Sequence, residues 1–281
     1  MPDLATYALP LLFALGLWWF STGLILWLVR LPRHHRPVVL TGATTVLAVA
    51  LIAIVRTADD TAAAAGYHGF AAALAVWGWH ELVFLLGLVT GPRKTALRPG
   101  ATGAERFRQA TAAIAYHEVA LAATAGLLFV LTWGAENQVA AWTFLALFAS
   151  RLSAKLNLFL GVPHFADELM PDHLLHLRSY FAVRAINPLF PLSVTAITAA
   201  AALTLAAAWH PGTAPVAVAG LICIAGLLLL GAVEHWFMVL PIRDAALWRW
   251  AAGRTAPTAP ASIDPDTTRF EPRPTPATGS G

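Results

Sequence analysis

The chain has 281 residues, of which 58% are hydrophobic and 12% are charged. Soluble domains carry about 25% charged residues, so this composition argues against a soluble single-domain enzyme, a disordered regulator and a nucleic-acid binder. The net charge of only +3 adds no support for a nucleic-acid partner. The single cysteine, Cys223, excludes an intrachain disulfide and a thiolate metal cluster. The composition indicates a polytopic membrane protein.

The hydropathy pattern divides the chain into spans that match the thickness of a bilayer. A hydrocarbon core of about 30 Å requires about 20 apolar residues in a helix. Seven stretches meet this requirement, so the sequence predicts an all-α fold, a bundle of seven transmembrane helices within residues 1–250. The stretches are approximately 5–30, 37–55, 63–91, 109–133, 137–160, 187–210 and 214–242.

The distribution of Lys and Arg predicts the orientation. With the N-terminus outside, seventeen of the eighteen basic residues fall on the inner side, and Arg56 is the exception. Basic residues concentrate on the cytoplasmic side of membrane proteins. The N-terminus is therefore expected in the periplasm and the C-terminus in the cytoplasm. Residues 251–281, rich in Pro, Thr and Ala, are predicted to form a disordered cytoplasmic tail.

Ionisable side chains recur inside the predicted helices. Each costs about 2.5–3.5 kcal/mol at the centre of a membrane helix, so each needs a partner or a role. Counted from the predicted helix ends, they lie about 12–15 Å above the inner boundary and form one polar layer. These residues are His80-Glu81 in helix three, His117-Glu118 in helix four, Arg151 and Lys155 in helix five, and Glu234-His235 in helix seven.

The connection between helices five and six is predicted to contain a short amphipathic helix at about 171–182. Pro171 suits a first helical turn, and Asp167 and Glu168 suit its start. Such a helix is too short to cross the bilayer and is expected to lie at the inner interface. Its apolar side consists of Leu174, Leu175, Leu177 and Phe181, and its polar side of Asp172, His173, His176 and Tyr180.

Two interpretations of the polar layer remain open on the sequence. In the structural one, Arg151 and Lys155 form ion pairs with the glutamates, and the histidines form hydrogen bonds between helices. In the functional one, the layer binds a metal ion, or its imidazoles ligate the magnesium of a chlorin or the iron of a haem. The candidate ligand-binding residues are His80, Glu81, His117, Glu118, Asp172, His173, His176, Glu234 and His235.

One segment of the sequence carries a family resemblance. Lys155-Leu-Asn157-Leu-Phe159-Leu-Gly161-Val-Pro163, then Pro171-Asp-His173-Leu and Ser179-Tyr180-Phe181, resembles the PuhE family of photosynthetic-complex assembly proteins of purple bacteria. The resemblance covers roughly residues 1–250. It implies a protein of the bacterial inner (intracytoplasmic) membrane. Its implied partners are the lipid bilayer and components of the reaction-centre and light-harvesting complex or pigment-synthesis proteins. Its implied ligand is bacteriochlorophyll or a precursor.

The sequence therefore predicts a membrane assembly factor for the photosynthetic complex that handles bacteriochlorophyll or modulates its supply, rather than an enzyme. One alternative is a metal-dependent, di-iron-like oxidase or hydroxylase that uses the His/Glu layer. Another is a structural membrane scaffold with an ion-paired core. If the layer binds a ligand, we expect Glu81, His117, Glu234 and His235 to lie in one cavity that opens toward the 171–182 helix.

Overall fold

The computed structural model describes residues 4–165, 169–242 and 247–252. The regular structure in these ranges is helical, which confirms the predicted all-α class. Residues 167 and 168 and the tail 253–281, which carried sequence predictions, lie outside the described residues. The α helices are α1 Leu4–Arg30, α2 Arg36–Arg56, α3 Ala63–Leu85, α4 Gly103–Leu131, α5 Val139–Leu160, α6 Leu189–Ala208, α7 Pro215–Phe237 and the short α8 Arg249–Ala252.

Six of the described helices are long and apolar enough to cross a membrane, which supports a multi-pass membrane protein. They are α1, α2 with its preceding turn, α4, α5, α6 and α7. Helix α3 is not among them, so the predicted count of seven is not confirmed. Its hydropathy is lowered by polar and small residues along its length, including Gly66, Tyr67, His68, Trp79, His80 and Glu81.

Helices α3 and α7 lie at the centre of the bundle. About 67% of the most apolar window of α7 is buried, against 33% or less for the other five candidate spans. Small residues permit this close packing. A Cβ at Gly66 would lie 2.5 Å from the Val216 carbonyl oxygen, and one at Gly220 would lie 2.1 Å from Val139. These contacts hold α3, α5 and α7 against one another.

Helix α3 ends at Leu85 and not near residue 91, because the chain reverses direction at Gly87, whose φ is +77°. The residues that follow fold back onto α4. There the Thr90 carbonyl accepts a hydrogen bond of 2.9 Å from the His117 backbone N–H. A Cβ at Gly91 would lie 2.2 Å from a backbone carbonyl oxygen of α4. The segment predicted as the last turns of α3 therefore packs against the N-terminal half of α4.

The connection between α5 and α6 contains a 3₁₀ helix, Asp172–Tyr180, in place of the predicted α helix. Leu174, Leu177 and Tyr180 are its buried residues, and their spacing of three matches the three residues per turn of a 3₁₀ helix. Tyr180, expected on the polar side, therefore packs inward. Nine residues at about 2 Å each cover about 18 Å, which is shorter than a bilayer core.

Candidate functional site

A cavity of about 640 Å³ lies between α1, α3, α4, α5, α7 and the 3₁₀ helix. Its volume is within the range of small-molecule sites, about 300–1,000 Å³. Most of its wall is apolar and aromatic, including Trp18, Trp77, Phe84, Phe107, Phe159 and Trp248. The charged residues of the wall are Glu81, Glu118, Arg151, Lys155 and Glu234. The cavity thus combines a large apolar surface with one charged side.

Two ion pairs form the charged side of the cavity. Arg151 and Lys155 are one turn apart on α5, so both side chains reach the same wall. The Lys155 Nζ lies 2.5 Å from Glu118 Oε1 on α4, and an Arg151 Nη lies 3.7 Å from Glu81 Oε2 on α3. These contacts are the ion pairs of the structural interpretation. They join α5 to its two neighbours across the cavity wall.

The histidine of the His117-Glu118 pair lies behind the cavity wall. His117 is fully buried, and its ring centroid is 4.4 Å from that of Phe84. Its Nε2 is 3.7 Å from Glu81 Oε1, beyond hydrogen-bond distance. Neither ring nitrogen has a hydrogen-bond partner within the described part of the chain. His117 is therefore a packed neighbour of Glu81 and not part of the lining.

His80 and His235 form hydrogen bonds between helices. The His80 Nε2 lies 2.9 Å from the Thr124 hydroxyl on α4. The His235 Nδ1 donates to the Gly231 carbonyl at 2.7 Å, because a carbonyl oxygen only accepts. Its Nε2 therefore accepts from the Ser153 hydroxyl on α5 at 2.9 Å. These partners leave both imidazoles engaged away from the cavity lining.

The candidate ligands of the 3₁₀ helix, Asp172, His173 and His176, also lie off the lining. His173 donates from Nε2 to the Leu85 carbonyl at 2.9 Å, which ties the helix to the end of α3. His176 donates from Nδ1 to the His173 carbonyl at 3.2 Å. Burial lowers the pKa of His176, so its neutral form is favoured. Asp172 is exposed. Leu174, Leu177 and Tyr180 form this helix's contribution to the cavity wall.

Of the four residues expected in one cavity, Glu81, His117, Glu234 and His235, only two line it. The two glutamates line the cavity, together with Glu118, and the two histidines do not. Within the described ranges, no group of three or more His, Cys, Asp or Glu side chains is placed to hold a metal ion. The metal-dependent alternative thus gains no site from this part of the chain.

Arg106 connects two segments that border the cavity, a role that the sequence did not reveal. Its guanidinium donates to the carbonyls of Phe159 and Tyr180 at 2.6 and 2.7 Å. It also lies 4.0 Å from the centroid of the Phe159 ring. Arg106 thereby joins the end of α5 to the end of the 3₁₀ helix. In the sequence it counted only as one more basic residue of the inner side.

Trp248 supplies a wall of the cavity from outside the long helices. Its indole N–H donates to the Trp19 carbonyl at 3.3 Å, and its ring centroid lies 5.5 Å from that of Trp18. In return, the Trp19 indole donates to the Leu247 carbonyl at 3.2 Å. These contacts fix residues 247–252 against α1. Trp248 was not among the candidate residues that the sequence indicated.

Buried asparagines organise the turn after α5. The Asn187 amide donates to Asn157 Oδ1 at 3.1 Å and to the Gly161 carbonyl at 2.8 Å. Its Oδ1 accepts from the backbone N–H groups of Leu189 and Phe190 at 2.9 and 3.1 Å, which caps α6. Asn157 and Gly161 belong to the segment that carries the family resemblance. Their role here is structural.

Comparisons with known proteins identify the family of this chain. The family model described as "Protein of unknown function (DUF3623)" matches residues 4–259. A protein of Rhodobacter capsulatus named "Uncharacterized 30.4 kDa protein in puhA 5'region" is 40% identical over 263 residues, which is 92% of each chain. No solved structure matches the chain. The chain belongs to the DUF3623 family.

Proposed function

We propose that this protein is a PuhE-type assembly factor for the photosynthetic reaction-centre and light-harvesting complex, and that it holds bacteriochlorophyll or a precursor in its cavity. The Rhodobacter capsulatus relative is named for its position in the puhA 5' region, which supports a function connected with that gene region. The observation that carries the proposal is the 640 Å³ cavity, which is apolar and aromatic over most of its wall and charged on one side. An amphipathic, ring-containing ligand matches both parts of this surface.

The residues of the wall fit a magnesium chlorin through oxygen and not through imidazole. The histidines of the polar layer lie behind the lining, whereas Glu81 and Glu118 belong to it. One carboxylate oxygen of Glu118, Oε2, is buried and has no hydrogen-bond partner among the described residues, so it reaches the cavity only if the side chain rotates. Oxygen is the ligand that magnesium prefers. Glu118 is therefore the side chain that we assign to the magnesium side of the pigment.

The same proposal includes a membrane arrangement with seven spans. Helix α3 packs at the centre of the bundle between candidate spans, which supports the proposal that it is a seventh span despite its lower hydropathy. The distribution of basic residues then supports a periplasmic N-terminus and a cytoplasmic C-terminus in the inner membrane. Reporter fusions at the two termini test this arrangement. Activity of both fusions on the same side would contradict it.

The test of the function is to fill the cavity without touching its charges. Ala110 and Ala154 line it, so Ala110→Trp and Ala154→Trp each place a large side chain in the space. Val49→Trp on the exposed face of α2 is the matched control. We expect the two filling variants to lower the near-infrared absorbance of pigment complexes in isolated membranes and to reduce co-purified pigment, with unchanged membrane abundance of the protein.

The control variant is expected to behave as the wild type. Normal abundance with normal pigment-complex yield in both filling variants would contradict a role for the cavity. That result would favour the structural scaffold, for which the ion pairs and the interhelical histidine hydrogen bonds account for the polar layer.

A further inference from the structure

Arg151 is the most accessible member of the two ion pairs on the cavity wall. Its side chain is 46% exposed, against 11% for Glu81 and 18% for both Lys155 and Glu118. Its contact with Glu81 is 3.7 Å long, which exceeds hydrogen-bond distance. A guanidinium carries five N–H donors. Arg151 thus retains donors that face the cavity and that a ligand can use.

The charge balance of the wall restricts what those donors can bind. Arg151 is matched by Glu81 and Lys155 by Glu118, so the two cations already face two carboxylates. A ligand carboxylate would enter a largely apolar cavity beside these anions without a cation of its own, which is costly. An uncharged acceptor, such as a ketone or ester oxygen, avoids this cost.

The remainder of the wall is suited to an extended apolar group. Phe107, Phe159, Phe165, Phe181 and Met170 lie along the inner part of the cavity, beside the 3₁₀ helix and the end of α5. These side chains offer no charge to a second polar group. A ligand with one uncharged polar end and a long hydrocarbon tail fills both regions.

We propose that the cavity selects the esterified, uncharged form of its pigment ligand, and that Arg151 determines this specificity by donating a hydrogen bond to a carbonyl oxygen of the pigment. The inference rests on the proposed function and deepens it. The class of reaction that supplies such a ligand is the condensation of a chlorin carboxylic acid with a long-chain alcohol, which forms the ester bond and releases water. The free acid that precedes this reaction is disfavoured, because Arg151 and Lys155 already face Glu81 and Glu118 and leave no cation for its carboxylate.

The test compares two probes that differ in charge and otherwise by a single methyl group. Full-length protein in detergent is titrated at pH 8 with a magnesium chlorin bearing a free propionate and with the methyl ester of the same chlorin. Binding is followed by the shift of the pigment absorbance. We expect the ester to bind at least about tenfold more tightly, because an uncompensated buried charge is disfavoured. Equal or tighter binding of the acid would overturn the inference and leave pigment binding intact. Binding of neither probe would overturn the proposed function as well.

Variants then separate the donor from the ion pair. Arg151→Gln removes the guanidinium but leaves Glu81 unmatched, whereas Arg151→Gln combined with Glu81→Gln keeps the wall balanced. Both should bind the methyl ester about tenfold or more weakly than the wild type. Arg56→Gln, at the far end of α2, should change the affinity less than about twofold. Wild-type affinity for the ester in a folded double variant, verified by its thermal unfolding, would refute the role of Arg151.

Discussion

The ion pair between Lys155 and Glu118 provides a quantitative test of whether the polar layer holds the bundle together. The Nζ–Oε1 distance is 2.5 Å, and both side chains are only 18% exposed. The ammonium also lies 5.7 Å from the centroid of the Phe84 ring. Replacing Lys155 with Met leaves a mostly buried carboxylate without its cation. Removing one partner of a buried pair costs about 3–5 kcal/mol, so Lys155→Met should lower the free energy of unfolding by that amount.

Replacing both partners distinguishes a penalty for unpaired charge from a loss of packing. In the double variant Lys155→Met/Glu118→Leu no charge is left unmatched, and apolar replacements of buried pairs are often neutral. We expect the double variant to lose no more than about 1–2 kcal/mol, well below the sum of the two single losses. The matched control is Arg108→Gln, which breaks an exposed pair with Glu105 and should cost less than about 1 kcal/mol.

The assay is equilibrium unfolding of the purified protein in mixed micelles with increasing denaturing detergent, monitored by far-ultraviolet circular dichroism. If the double variant lost as much unfolding free energy as Lys155→Met and Glu118→Leu together, the coupling between the two residues would be refuted. Single variants as stable as the Arg108 control would show that the pair contributes nothing to the fold. The polar layer would then have to be explained by its ligand alone.

Three further outcomes are expected. Asn187→Ala should cost about 2–3 kcal/mol of unfolding free energy, because it removes the cap of α6 and buried hydrogen bonds; a loss below about 0.5 kcal/mol would contradict this. Gly91→Ala should lower the midpoint of thermal unfolding, because the added Cβ would collide with the backbone of α4. Gly126→Ala, where the added Cβ meets no atom, should raise stability by up to about 1 kcal/mol. Equal midpoints for the two variants would show that the chain around Gly91 is not packed against α4. The lowered pKa of His176 disfavours its protonation in the folded state, so stability should fall as the pH drops below about 6.5, and His176→Gln should flatten this slope in unfolding curves at pH 5 and 7.5.

The family resemblance and the depth of the charges pointed to residues that the structure does bring into contact. Glu81 and Arg151, predicted at one depth from helix ends, lie 3.7 Å apart. This contact forms even though α3 ends at Leu85 and not near residue 91. The depth of a residue does not show which way its side chain points. An adjacent His-Glu pair points about 100° apart, so only one of the two can face the cavity.

The membrane class and the helical content could be predicted from the sequence, because composition and span length are properties of the chain. The side chains that line the cavity could not, because their directions depend on how the helices pack. Glu118 faces it and His117 does not, although they are neighbours. Arg106 and Trp248 form hydrogen bonds around the cavity between segments that are far apart in sequence. A hydropathy profile does not reveal such contacts.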